Sequence, residues 1–202
     1  MKILIYATTF GADLWSFAKY VDQRPDTEVE IIMPRPELYY NEGVADLFPL
    51  KAPVHKRSWY HNFASRLLYG ADVTIMDNHL PLFATSPHGL MLWHGYGWKG
   101  PNDEEEFKWL HRSIKLAWGD AKKKNDRFRW QCFGPYDYEH RTKVSGFAPE
   151  NCRVLGAASH DDLIEPLDRS LAQPYYPFDV SGKPTVLIAP TWHYGDVLEH
   201  WG

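Results

Sequence analysis

The residues best suited to chemistry in this sequence lie in GLMLWHGYGWKG, residues 89–100. An apolar run from Gly89 to Trp93 meets His94, and the chain then turns glycine-rich and basic. Gly95 and Gly97 let a main chain approach a ligand closely and accept positive φ. Backbone N–H groups exposed in such a turn make a seat for an anion, and Lys99 adds a point charge suited to phosphate. An imidazole beside phosphate-binding amides has what a general base for hydroxyl attack requires. The same histidine would also suit the end of a buried strand, bonded to a backbone carbonyl. Spacing alone leaves the two readings even.

Other polar sets follow apolar runs in the same way: Thr8-Thr9 with Gly11 and Asp13, Asp77-Asn78-His79, Ser159-His160-Asp161 and Thr191-Trp192-His193. Ligands of open parallel sheets bind outside the carboxyl ends of the strands. If these runs are parallel strands, the sets share one rim and outline a cleft with three or four histidines. Gly11, Asp77, Asn78, Gly95, Lys99, His160, Asp161, Thr191 and His193 are therefore the binding candidates around His94. Each has a plainer alternative. The stretch SHDDL fits a helix start capped by Ser159 or Asp161, and Asp13 reads as a cap before it reads as a catalyst. His193 precedes Gly195 and repeats the context of His94 in weaker form.

Several chemistries find no support. Ten histidines are present, but no HxxxH or HxH carries an adjacent acid, so no metal site is expected. GYGWKG lacks the four-residue gap and Ser/Thr of a P-loop, no GxGxxG follows the first apolar run, and GxSxG is absent. The basic run Lys122-Lys123-Lys124, with Arg127 and Arg129, reads as a solvated face, with an anionic polymer as the alternative.

The elements that must position these residues read as alternating strands and helices. Residues 2–8 form a β-rich run. Leu14, Phe17, Ala18 and Val21 have helical spacing, and residues 27–33 read as a second strand. Such a βαβ unit implies a parallel sheet with a right-handed crossover. Residues 34–53 are proline-rich and read as irregular. Residues 58–69 are helical in pattern, with Trp59, Phe63 and Leu67 on one face. Globular helices pack such a face on their core, so core-facing is the expectation. The alternative is a helix lying on a membrane surface, since Lys56, Arg57 and Arg66 flank it. Strands are expected at 71–76, 89–93, 130–134 and 153–157. Helices are expected at 103–115, with an acidic first turn, and at 135–145, opened by Pro135. Residues 173–184 look like a linker, and 185–189 begin a new buried strand. The reading is one domain over 1–172, a linker over 173–184 and the start of a second domain over 185–202.

The 202 residues, 44% hydrophobic and 24% charged, suffice for a globular core. A formal charge of −4 argues against a general nucleic-acid binder. Two cysteines without CxxC spacing suit a reducing compartment, with a Cys132–Cys152 disulfide as the alternative. No run approaches bilayer-spanning length, and the N-terminus lacks the features of a secretory signal, so the expected location is cytoplasmic. Most of the nine tryptophans are expected in the core, and an excess of Trp and Tyr would also suit a site for a polyol or sugar.

Four of these stretches together resemble a known family. DNHLPLF at 77–83 and MLWHGYGWKG at 91–100 resemble the paired "DN..P" and "WHG...K" motifs of the CDP-glycerol glycerophosphotransferases, the teichoic acid primases and polymerases. Residues 132–163 resemble that family's segment leading to a "G-x-P-R-x-D" turn, and TVLIAPTWHYGD at 185–196 is similar to its "LYAPTWRD". The resemblance covers residues 71–196, while 1–70 match as a generic first half. It implies a GT-B fold of two Rossmann-like domains, of which this chain would be the N-terminal, acceptor-side half. It further implies transfer of glycerol phosphate from CDP-glycerol to a hydroxyl on an anionic or polyol polymer, with no obligatory metal or other cofactor. His94 takes the catalytic-base position, Gly95 and Lys99 lie by the phosphate path, and Asp77 and Asn78 match a strand-end pair. The alternatives are a GT-B glycosyltransferase using a nucleotide sugar, and a single-domain binding module that catalyses nothing.

The departures are specific. The family's "T-P-L-K-K" reads Tyr96-Gly97-Trp98-Lys99-Gly100, one lysine short, and its "P-R-N-D" reads Ala158-Ser159-His160-Asp161, with histidine for arginine. The family's second domain holds the nucleotide and a further histidine. Residues 185–202 cover its beginning alone, so this chain by itself is not expected to transfer efficiently. Peripheral association with the inner membrane face is a further implication.

Overall fold

The computed structural model describes residues 1–8, 12–41, 45, 49–77, 79–92, 107–161, 173, 178 and 179. The chain divides into two compact units, Met1–Asp162 and Leu163–Gly202. In the second unit, the Gln173 side-chain amide donates to the Phe178 carbonyl at 2.9 Å. The expected strand at 185–189 lies outside the described residues.

The first unit is a Rossmann-like α/β layer. Its strands are β1 (Lys2–Tyr6), β2 (Glu28–Met33), β3 (Val54–Lys56), β4 (Val73–Met76), β5 (His88–Met91), β6 (Phe128–Cys132) and β7 (Cys152–Val154). They form one sheet in the order β3-β2-β1-β4-β5-β6-β7, and every pairing is parallel. The helices are α1 (Ala12–Gln23), α2 (Pro36–Asn41), α3 (His61–Tyr69), α4 (Lys108–Ala117), α5 (Pro135–Glu139) and α6 (Ala158–Asp161). Beyond α5 the chain continues as a π-helical turn, His140–Val144.

Strand periodicity splits β1 between two cores. Ile3 and Ile5 pack with Leu14, Ala18 and Val21 of α1. Leu4 and Tyr6 belong to the opposite core, with Leu110, Ile114 and Trp118 around α4. Both faces being covered explains why β1 reads as a continuous apolar run from Ile3 to Tyr6. Gly89 in β5 serves this packing directly: a Cβ there would lie 2.8 Å from the Trp118 indole. The bare strand lets the ring lie flush on the sheet, and its Nε1 donates to the Ser86 carbonyl at 3.1 Å.

Cys132 and Cys152 are both buried free thiols. Contact with the Cys152 sulfur, and burial, hold the Cys132 thiol well above its ordinary pKa.

Three expectations need correction. Residues 34–53 are not wholly irregular. They contain α2, whose Tyr39 is buried against Trp15 at 5.7 Å between ring centres. They are followed by β3, an edge strand of three residues that the sequence reading passed over.

The second correction concerns α3. Its apolar face does not pack on the core: Trp59, Phe63 and Leu67 are 75%, 48% and 88% exposed. The buried positions are His61 and Ser65. The inward face is held by polar pairing. The Ser58 N–H donates to His61 Nδ1 at 2.7 Å, and His61 Nε2 lies 3.0 Å from the Tyr69 hydroxyl. The Ser65 hydroxyl donates to the His61 carbonyl at 2.6 Å. The helix ends on Gly70, whose left-handed φ of 58° closes a C-terminal cap on the Arg66 carbonyl.

This arrangement has a pH consequence. Burial pushes the His61 imidazole below its ordinary pKa, against the opposing pull of the Ser58 backbone. A histidine depressed in the folded state is protonated first in the unfolded chain. Its stabilising effect is therefore complete above about pH 6.5 and is lost as pH falls through the folded value. Urea midpoints should drop between about pH 7.5 and pH 5, and His61→Gln should flatten that slope. An unchanged slope in the variant contradicts the assignment.

The third correction, at the start of α6, belongs to the rim described next.

Candidate functional site at the carboxyl rim of the sheet

The strand order reverses at β1, which lies between β2 and β4. In an open α/β sheet the ligand crevice forms outside the carboxyl ends at such a switch point. Thr8 leaves β1 there and Asp77 leaves β4. Asp77 is buried, and its Oδ1 accepts the Thr8 backbone N–H at 2.9 Å. The Thr8 hydroxyl faces His79 Nδ1 at 3.2 Å and accepts the His79 N–H at 3.3 Å. One residue past β5, the Leu92 N–H donates to the Met76 carbonyl at 2.7 Å. The exits of β1, β4 and β5 are thus tied to one another around Asp77.

A second knot lies along the same rim. Asp13, in the first turn of α1, is 2% exposed. Its Oδ2 accepts from Gln131 Nε2 at 2.9 Å, and its Oδ1 accepts from the Ser159 N–H at 3.1 Å and the Ser159 hydroxyl at 2.6 Å. Gln131 Nε2 also donates to the Gly156 carbonyl at 2.6 Å. One carboxylate therefore joins α1, β6 and α6. This corrects the expectation that Ser159 or Asp161 caps α6: the acceptor at that helix start is Asp13.

Of the expected site residues, the structure describes Asp77, His160 and Asp161. His160 and Asp161 are both exposed on α6. His160 lines a pocket of about 380 Å³ with Phe133, Gly134, Tyr136 and Gly156, at the ends of β6 and β7. Asp161 lines a groove of about 400 Å³ against Ser16, Lys19 and Tyr20 of α1. Between the ends of β4 and β7 lie three strand spacings, about 14 Å, so Asp77 and His160 are not one cluster. His94, Gly95 and Lys99, with Gly11, Asn78, Thr191 and His193, lie outside the described residues.

Thr8 and His79 appear in the strand-end sets of the sequence, and the structure joins them to Asp77. Gln131 was missed. Its signal was a lone amide inside the buried run RWQCF. Among the described residues, no group of three or more His, Cys, Asp or Glu side chains is placed to hold a metal ion, and no helix is long and apolar enough to cross a membrane. The rim thus supplies a fixed main-chain frame at the switch point, an exposed imidazole at His79, and a second exposed imidazole, His160, in the wall of an opening.

No protein-family model matches this chain, and no curated protein matches it. Solved structures do. The chain is similar to the wall teichoic acid polymerase TagF, with a TM-score of 0.52 and 12% identity over 80% of this chain and 40% of that one. A histidine-to-asparagine variant of TagF gives 0.53 and 12% over 85% and 41%. The same variant after a soak with CDPG gives 0.50 and 12% over 85% and 42%. The chain spans about two fifths of the length of these structures, and at this identity the likeness is one of fold: the seven-stranded parallel sheet with its flanking helices.

Proposed function

We propose that this chain is the acceptor-side half of a GT-B transferase that moves glycerol phosphate from CDP-glycerol to a hydroxyl acceptor in cell-wall or surface-polymer synthesis. The observation that carries the reading is the fold likeness to TagF over most of the chain, joined to the order of DN, WHG and Lys99 in the sequence. The TagF variant soaked with CDPG supports a CDP-linked donor. In this reading residues 1–172 form the acceptor-side domain, 173–184 the linker, and 185–202 the start of the nucleotide-side domain.

His94 takes the proton from the acceptor hydroxyl. The freed oxygen attacks the β-phosphorus, which carries the glycerol. The bond from that phosphorus to the bridging oxygen breaks, and CMP leaves. Backbone amides near Gly95, with Lys99, stabilise the charge that builds on the phosphoryl oxygens. The knot of Thr8, Asp77 and His79 fixes the exits of β1 and β4, next to which β5 ends at Met91.

The test is CMP release from CDP-glycerol by a protein carrying this segment with its nucleotide-side domain. His94→Ala should lower kcat by at least about a hundredfold, the usual worth of a general base, while donor binding persists. Retained turnover removes His94 from the role. Turnover of a nucleotide sugar in place of CDP-glycerol reassigns the donor, and binding of a polymer without turnover of any donor reassigns the chain as a binding module.

A further inference from the structure

The two cysteines form a pair that the proposed transfer does not use. Cys132 ends β6 and Cys152 opens β7. In the register of these strands Trp130 stands opposite Cys152, and Cys132 opposite Val154. The cysteines are therefore diagonal neighbours. Side chains two apart on a strand share a face, and so do cross-strand partners. Both thiols accordingly fall in the core that holds Trp118, Trp130 and Phe147. Each is free, and neither is more than 1% exposed. Contact with the Cys132 thiol draws the Cys152 pKa below its ordinary value against the effect of burial, and the Arg141 guanidinium adds to the pull. Cys152 is thus the thiol that ionises first and serves as the nucleophile.

Reach and access decide what such a pair can do. Neighbouring strands stand about 4.8 Å apart and two residues advance about 6.6 Å, so the diagonal Cα separation is about 8 Å. A disulfide closes without backbone movement only below about 7 Å. A bond here draws β7 along β6, and a strained disulfide is the readily reduced kind. Access comes from the edge. β7 has three residues and, among the described residues, pairs with β6 alone. Short elements of this sort open locally without global unfolding, and opening of β7 uncovers both sulfurs.

β7 also leads straight into the second knot of the rim. The Leu155 N–H donates to the Cys132 carbonyl at 3.0 Å. The Gly156 carbonyl accepts from Gln131, and Ser159 is held by Asp13. Gly156 and His160 line the pocket at the ends of β6 and β7. Moving β7 therefore moves the start of α6 and one wall of that pocket.

We infer that Cys132 and Cys152 form a reversible thiol–disulfide switch whose closure loosens α6 and the pocket beside it. The inference rests on the pair and its register, and it stands whether or not the chain is a transferase. The co-reactant is a low-molecular-weight disulfide such as oxidised glutathione. The Cys152 thiolate attacks one of its sulfurs, the glutathione S–S bond breaks, and one glutathione leaves as thiolate. Cys132 then gives up its proton and attacks the Cys152 sulfur of the mixed disulfide, and the second glutathione leaves. The protein loses two electrons and two protons, which depart on two glutathione thiols.

The test uses the reduced 202-residue chain with oxidised glutathione, in buffer and in urea below the unfolding transition. Intact mass should fall by two hydrogens, peptide mapping should find a Cys132–Cys152 link, and dithiothreitol should reverse both. The rate should rise with urea in step with exchange of the Leu155 amide, since both report the opening of β7. In the oxidised chain, amide exchange across Gly156–Asp161 should quicken at least about tenfold, as expected for a segment that has lost its local support. Cys132→Ser should stop at the mixed glutathione disulfide on Cys152. If that variant misfolds, the mass and exchange of the parent chain decide. No link in the folded chain, a link formed only once urea unfolds it, or a covalent dimer overturns the inference. So does a link that leaves exchange at Gly156–Asp161 unchanged, which would make the bond a static one.

Discussion

Replacing Asp137 with alanine should lower the stability of the fold by about 3–5 kcal/mol, the usual cost of stranding a buried charge. Asp137 in α5 pairs with Arg141 one turn later, Oδ1 to Nη2 at 3.0 Å. Its Oδ2 accepts the Phe133 N–H at 3.2 Å, where the chain leaves β6. Arg141 is 1% exposed, with its guanidinium 5.1 Å from the centre of the Trp130 ring. Burial pushes the Arg141 pKa down, and Asp137 is the main influence holding it charged. Without Asp137 the guanidinium stays buried with its principal counter-charge gone. Denaturant titration at neutral pH measures the loss, and a decrease below about 1 kcal/mol contradicts the account. The double variant Asp137→Ala/Arg141→Met should recover part of the stability, since a buried pair is often replaceable by apolar side chains. The neighbouring pair Glu139–Lys143 is exposed, and Glu139→Ala should be close to silent.

The second large effect is expected at Asp13. Alanine there removes three hydrogen bonds to one buried carboxylate, leaving the Gln131 amide and both Ser159 donors to find other partners. Bonds to charged groups and newly unsatisfied donors place the loss at about 2–4 kcal/mol. Ser159→Ala removes the hydroxyl bond alone and should cost about 1 kcal/mol. The two variants should also differ in reach. Asp13→Ala should speed backbone hydrogen exchange around Gly156–Asp161, because α6 loses the acceptor at its start, and His160 would lose its fixed place at the pocket. Exchange confined to α1 would argue that Asp13 serves its own helix.

The parts of this fold readable in the sequence are those whose signal is local. β1 carries a continuous apolar run, Ile3–Tyr6, and β2 and β4 are rich in Val, Ile and Met because both faces of the sheet are covered. α1 shows its period, and α5 its opening proline. α2 was hidden because what stabilises it is distant: Tyr39 against Trp15, and the Leu50 N–H bonded to the Tyr39 hydroxyl. β3 is too short to show a period. For α3 the period was right and the direction wrong. Spacing reports that Trp59, Phe63 and Leu67 share a face, but not which way the face turns. The linkage of His61 to Ser58 and Tyr69 sets that direction. The rim followed the same rule. Asp77 and Thr8 were visible as strand exits, and Asp13 was expected to cap its own helix. The helix it caps is another one, reached through a contact that no sequence window spans.

That contact has a consequence for the order in which the protein assembles. Asp13 and Ser159 are 146 residues apart, and Thr8 and Asp77 are 69 apart. On the ribosome, the switch-point knot gains its second half early. Asp13 waits for Ser159 through roughly 7–30 s of synthesis at ordinary elongation rates. For most of that interval α1 carries a bare carboxylate, since Gln131 follows Asp13 by 118 residues and Ser159 by 146. The nascent chain therefore passes through a stage with the β1–β4 crevice framed and the β6–β7 side still open.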